Sequence, residues 1–122
     1  MKIITDIEEA NNLLHSYIGA ILQIAFYSES LKRIAIRICL HNVNEVLYLV
    51  GVGCESISGR FSFSNIDASI MLTVNDEMKE TVTKIIDRTS GFELVTTGGF
   101  SLAQGYESEF GTSFDDFIKD EK

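Results

Sequence analysis

The stretch Gly51-Val52-Gly53-Cys54-Glu55-Ser56-Ile57-Ser58-Gly59 brings a thiol, a carboxylate, hydroxyls and glycines into one short run behind an apolar segment. That outline suggests a phosphate-binding loop, in which glycine-rich backbone amides lead into a helix N-terminus and a Lys-Ser/Thr pair meets phosphate and magnesium. Here Gly59 is followed by Arg60-Phe61-Ser62-Phe63, whose alternation reads as strand, so the glycines mark a bulge or bend. Cys54 beside Glu55 has a nucleophile's residue type. A reactive thiolate also needs an activating base, and nothing in the sequence brings His15 or His41 to it. Neither imidazole has Cys, His, Asp or Glu at a zinc-ligand spacing. His15 falls near the end of the first expected helix, where the dipole favours a cation, and His41 in a solvated loop between Leu40 and Glu45. The adjacent carboxylates Glu8-Glu9 and Asp115-Asp116 point apart on a helix, whereas acid–base chemistry needs carboxylates that converge. They read as charges placed well for a helix N-terminus. No catalytic, cofactor or metal site is expected.

What remains is charge. Eighteen acidic residues face ten basic ones, for a net charge of −8, which opposes nucleic acid and anionic membranes as partners. Half of that net charge lies in residues 107–122. Asp115, Asp116, Asp120 and Glu121 are therefore the candidate partner-binding residues, able to steer a basic protein, against the plainer reading of a solvated helix face. Homo-oligomerisation stays open.

The elements that would position these groups are written mainly in period two. Leu22, Ile24 and Phe26, then Ile34, Ile36, Ile38 and Leu40, then Ile66, Ala68, Ile70, Leu72 and Val74 alternate with other residues, as in strands with one buried face. Short polar connections such as Ser28–Leu31 join only antiparallel neighbours. Pairing Phe26 with Ile34, Ile24 with Ile36 and Leu22 with Ile38 puts all six on one face, and Tyr27–Arg33 and Gln23–Arg37 on the other. Val46–Val52 is apolar on both faces and so belongs at the centre of a sheet covered on both sides. A helix from about Asp6 to Ser16 carries a Thr5/Glu8 capping box. Between Asn75 and Arg88 helix and strand compete. The β-branched Thr81, Val82, Thr83, Ile85 and Ile86 favour strand from about Thr81, with Asp87–Gly91 as a hairpin loop into Phe92–Thr97. Gly98-Gly99 turns the chain into Phe100-Ser101-Leu102. Thr112 or Ser113 can cap a last short helix bearing Phe110, Phe114, Phe117 and Ile118.

The expected fold is α+β: one domain over residues 1–122, a bent, predominantly antiparallel sheet (sandwich or partly open barrel) with short N- and C-terminal helices. Apolar residues form 45% of the chain, including eight Phe and four Tyr, which excludes a disordered chain, and no apolar run reaches membrane-span length. No secretion signal is evident, which points to the cytoplasm. If the Leu40 and Val46 strands form a hairpin, Cys39 faces Leu47 or Tyr48 and Cys54 faces Lys32 or Arg33. That separation is roughly 23 Å, too far for a disulfide.

His15-Ser16 before the first alternating strand, then two such strands, then Leu47-Tyr48-Leu49-Val50-Gly51-Val52 leading to Ile57, resembles small bacterial β-rich domains. Some of these are similar to immunity proteins of polymorphic toxin systems. The resemblance spans about residues 13–100 and implies a cytoplasmic, non-enzymatic protein-binding domain, with no functional residues to transfer. The alternative is a small-molecule-binding or enzymatic β-barrel-like domain with its site near Gly51–Gly59.

Overall fold

The computed structural model describes residues 1–110 except Asp76 and Met78. The expected terminal helix beyond Phe110, and with it Asp115, Asp116, Asp120 and Glu121, lies outside the described residues. The elements run β1 (Lys2–Ile4), α1 (Ile7–His15), β2 (Ile21–Ser28), β3 (Arg33–Cys39), β4 (Glu45–Val52), β5 (Cys54–Ser58), β6 (Ser62–Phe63), β7 (Ala68–Asn75), β8 (Glu80–Asp87), β9 (Glu93–Thr96) and β10 (Phe100–Tyr106), then a 3-10 turn at Glu107–Glu109. A six-stranded sheet in the order β1-β10-β4-β3-β2-β6 faces a four-stranded sheet in the order β5-β9-β8-β7. Every pairing is antiparallel, and the sheets do not close into a barrel. The bent, antiparallel α+β architecture is the one expected.

The bend has a local cause. β4 passes into β5 through Gly53 while β9, which pairs with β5, passes through Gly98-Gly99 into β10, which pairs with β4, so two adjacent runs of chain turn the same corner. Val52 N–H donates to Gly99 O (3.1 Å), Gly98 N–H to Val52 O (2.8 Å) and Thr97 N–H to Gly53 O (2.9 Å), so the ladder is carried around it. Gly53 has φ +70°, and a Cβ there would stand 2.6 Å from Thr97 Oγ1. A larger residue would force the two sheets apart at this seam.

Between the sheets lies the main core, in which Leu22, Ile36, Ile38, Leu47, Leu49 and Leu102 meet Ile70, Ile85, Phe92 and Leu94. α1 closes one side, setting Ala10 and Leu14 into that core. β4 is buried on both faces, as its composition required, because Val46, Tyr48 and Val50 form a second cluster with Ala35 on the outer face of the larger sheet.

Several expectations are corrected. The helix cap is Asp6, whose carboxylate accepts from Glu9 N–H (2.9 Å), one residue later than the Thr5/Glu8 box. β1 was not expected, and it pairs with β10. The β2–β3 register holds at Leu22–Ile38, Gln23–Arg37 and Ile24–Ile36, but a bulge then pairs Phe26 with Ala35 and Tyr27 with Ile34. Phe26 thereby joins the outer cluster and Tyr27 turns inward. The strand favoured from Thr81 is present as β8, Glu80–Asp87, and Asp87 organises the loop to β9. Leu72 and Val74 keep the phase of Ile70 but stand 59% and 62% exposed, so the buried face of this strand stops at Ile70.

The thiols are placed nearly as expected. Cys54 N–H donates to Lys32 O, but Leu47 and Tyr48 pair with Ile38 and Arg37, so the register carries Cys39 one step on, to Val46; both cysteines are free.

Candidate functional site

The bulge in β2 and the corner at Gly53 together shape a cleft at the mouth between the sheets. Its walls are Ile24, Tyr27 and Ile34 from β2 and β3, and Cys54, Glu55, Ser56 and Ile57 from β5, with Leu94 on β9 behind. Phe61 lies across the opening, held by a hydrogen bond from Ile24 N–H to its carbonyl (2.8 Å). The cavity is about 190 Å³. Its floor is buried core, Ile34 and Leu94, while the rim residues Tyr27, Ile57 and Phe61 are 53%, 47% and 79% exposed. Large apolar side chains around a recess are the composition of a binding rim, where aromatic anchors carry most of the energy.

The cleft contains residues of the Gly51–Gly59 stretch that drew attention in the sequence. Cys54 Sγ donates to Gly51 O (3.7 Å), and burial pushes the thiol above its ordinary pKa, with Glu55 adding to the rise against the lowering effect of a hydrogen bond with the Ile34 backbone. Neither His15 nor His41 lines it. A half-buried thiol whose pKa is raised has less of the thiolate character that a nucleophile needs. The loop also enters a strand, so it has no helix N-terminus with which to hold phosphate. Among the described residues, no group of His, Cys, Asp and Glu is arranged to hold a metal ion.

A polar cluster stands on the opposite, outer face of the larger sheet. Arg37 grips Glu107 with Nε (3.2 Å to each oxygen) and Nη2 (3.1 Å), and reaches Gln23 Oε1 through Nη1 (3.3 Å). Tyr48 O–H donates to Glu107 Oε1 (3.0 Å), and burial together with the Glu107 charge raises its pKa. The fork of Arg37 on a carboxylate fixes position as well as charge. One turn later, Glu109 accepts from the Met1 ammonium (2.7 Å), and Phe110 lies 4.5 Å from the Tyr48 ring. These contacts fasten the 3-10 turn to the sheet, and Glu107, already engaged by Arg37 and Tyr48, is poorly placed to act as a base. Pairing Gln23 with Arg37 was legible in the sequence; Glu107, distant in the chain, was not.

Glu8 and Glu9 sit in the first turn of α1, as expected, and neither lines the inter-sheet cleft; His15 and His41 are exposed. No helix among the described residues is long and apolar enough to cross a membrane. No protein family, curated protein or solved structure matches this chain.

Proposed function

We propose that this chain is a non-enzymatic protein-binding domain of the immunity type, acting in the cytoplasm on a basic protein partner that seats one apolar side chain in the inter-sheet cleft. The observation that carries the reading is the cleft's combination of small size and exposed apolar rim. About 190 Å³ is below the ~300–1,000 Å³ of pockets that enclose whole small molecules, yet it accommodates one inserted side chain. The net charge of −8 favours a basic partner by long-range attraction. In this reading Asp115, Asp116, Asp120 and Glu121 contribute to that steering. The apolar lining also favours a second reading, a small apolar ligand held at Gly51–Gly59.

The experiment is native co-purification with wild type and Ile57→Asp, followed by binding measurements on the recovered partner. Placing a carboxylate on the rim should weaken binding by about tenfold or more, which is ~1.4 kcal/mol. For the variant in which all four terminal acids are neutralised, the on-rate should fall more than the off-rate rises. The wild-type on-rate should fall as the Debye length shrinks from ~10 Å at 0.1 M salt to ~3 Å at 1 M. A small molecule retained through purification and lost in Ile57→Asp would establish the second reading. A protein partner bound equally by both would place the interface elsewhere.

A further inference from the structure

The two sheets have four edges, and they are guarded unequally. β1 and β6 are short, and β5 is interrupted by a bulge between Cys54 and Ser56. β7 is eight residues long, pairs with β8 in unbroken register from Ala68 to Asn75, and among the described residues has no strand on its other side. Its sequence, Ala68-Ser69-Ile70-Met71-Leu72-Thr73-Val74-Asn75, contains no charge and no proline in a chain that is 23% charged. Lysines, prolines and bulges are the usual protection of an edge strand, and β7 has none of them.

Among the described residues, the side chain that caps this edge is Asn11. From α1, Asn11 Nδ2 donates to Ile70 O (2.8 Å) and Asn11 Oδ1 accepts from Ile70 N–H (2.7 Å), so a single amide occupies the edge at that residue as a neighbouring strand would. This contact also fixes which backbone groups face outward. If the N–H and C=O of Ile70 point away from β8, the alternation of an antiparallel ladder turns those of Leu72 and Val74 outward as well. The side chains beside them are exposed: Leu72 59% and Val74 62% on the inner face, Met71 44% on the outer.

We propose that β7 is a self-association edge, at which two copies of this chain pair antiparallel about a two-fold axis through Thr73. In that register Leu72 lies opposite Val74 of the second copy and Val74 opposite its Leu72, and each opposed pair exchanges both N–H···O bonds. Two leucine–valine contacts form on one face, and no charged side chain meets another across the axis. Asn11 ends the ladder at Ile70 in each copy and so selects this register over longer ones. The same limit argues for a second copy as the occupant. An extended peptide would gain bonds at only Leu72 and Val74 while losing the conformational entropy of every residue it orders, whereas a second β7 arrives already ordered.

The experiment is sedimentation velocity from about 10 µM to about 1 mM, with amide hydrogen exchange at both ends of that range, on wild type, Val74→Lys and Leu72→Glu. Both substituted side chains are already solvent-exposed, and thermal melts identify which variant retains the fold. The wild type should shift from monomer toward dimer as concentration rises, with Leu72 and Val74 amides slowing together. A folded Val74→Lys or Leu72→Glu protein should stay monomeric at concentrations at least tenfold higher. A wild type that remains monomeric throughout overturns the proposal. So does a dimer whose Leu72 and Val74 amides exchange as fast as in the monomer, or one that either folded variant forms equally well.

Discussion

Replacing Asp87 by Ala should unfasten the β8–β9 connection, and its cost can be worked from the bonds the carboxylate accepts. Asp87 is 2% exposed and receives Asp67 N–H at 2.6 Å, Ser90 N–H at 2.8 Å and Thr89 O–H at 2.9 Å. Burial raises its pKa, but the bonds from Ser90, Asp67 and Thr89 outweigh that and hold the carboxyl below its ordinary value. In the alanine variant Thr89 O–H retains a partner in Asn65 O (2.9 Å), and Ser90 N–H, at an exposed residue, turns to water. Asp67 N–H is the group left without an acceptor in a half-buried setting. Losing a charge-assisted bond costs ~1.5–3 kcal/mol and a second, solvated one ~0.5–1.5 kcal/mol, so Asp87→Ala should destabilise by about 2–4 kcal/mol in urea melts at neutral pH. Asp87→Asn keeps one acceptor oxygen and should lose about half as much. The pH dependence has a definite sign. A carboxyl with a lowered folded pKa contributes its stability above the unfolded value near ~3.9 and loses it as pH falls through the folded value. The gap between wild type and Asp87→Ala should therefore be full at pH 7 and shrink below about pH 4. A loss under half a kilocalorie at pH 7, or a gap that does not narrow in acid, would refute this account of the loop.

Ile36, 0% exposed and opposite Ile24 and Leu49, should cost ~2–5 kcal/mol when cut to Ala, read as a lower urea midpoint; a change below half a kilocalorie would contradict its central place. Thiol counting by mass spectrometry after mild oxidation of native protein, then denaturation, should find two free thiols per chain, consistent with the β3–β4 register. Glu109, whose carboxyl is lowered first by its bond to the Met1 ammonium and then by Tyr106 N–H, should titrate below the ordinary glutamate value by NMR. Its contribution is present above the ordinary glutamate pKa and lost as pH falls through the lowered one, and acetylating the amine should return it toward the ordinary range.

The strands that were legible are those in which one rule acted alone. In β3, Ile34, Ile36 and Ile38 alternate with Arg33, Ala35 and Arg37, and the two sides differ so sharply that only one facing hides the isoleucines. β4 was legible for the converse reason: apolar residues on both sides demand two covers, and the structure shows both faces buried. At β8 the β-branched residues outweighed the helical spacing of Val82, Ile85 and Ile86 because the strand finds partners on both sides, β7 and β9. β1 was illegible since Lys2-Ile3-Ile4 is too short to show a period. Its strand character comes from the β10 edge it completes. The helix start slipped by one residue because Thr5 and Asp6 are both good caps, and only the carboxylate reaches Glu9 N–H.

The β2 wall of the cleft escaped sequence reasoning for a different physical reason, whereas the Gly51–Gly59 side was legible. Phe26 and Tyr27 are both aromatic, so the pattern of β2 reads equally well with either turned inward, and composition is blind to the one-residue insertion that exchanges them. The exchange decides the site. With Phe26 inside, the mouth between β2 and β5 would present an apolar ring facing the core and leave Tyr27 beside Arg33 on the outer face. With the bulge, Tyr27 stands at the rim with Ile57 and Phe61, and Phe26 helps to cover the outer cluster. The glycines at 51, 53 and 59 did announce a bend, but a bend makes a binding rim only where a second, distant irregularity supplies the opposing wall. Here that wall is the β2 bulge, about thirty residues away along the chain.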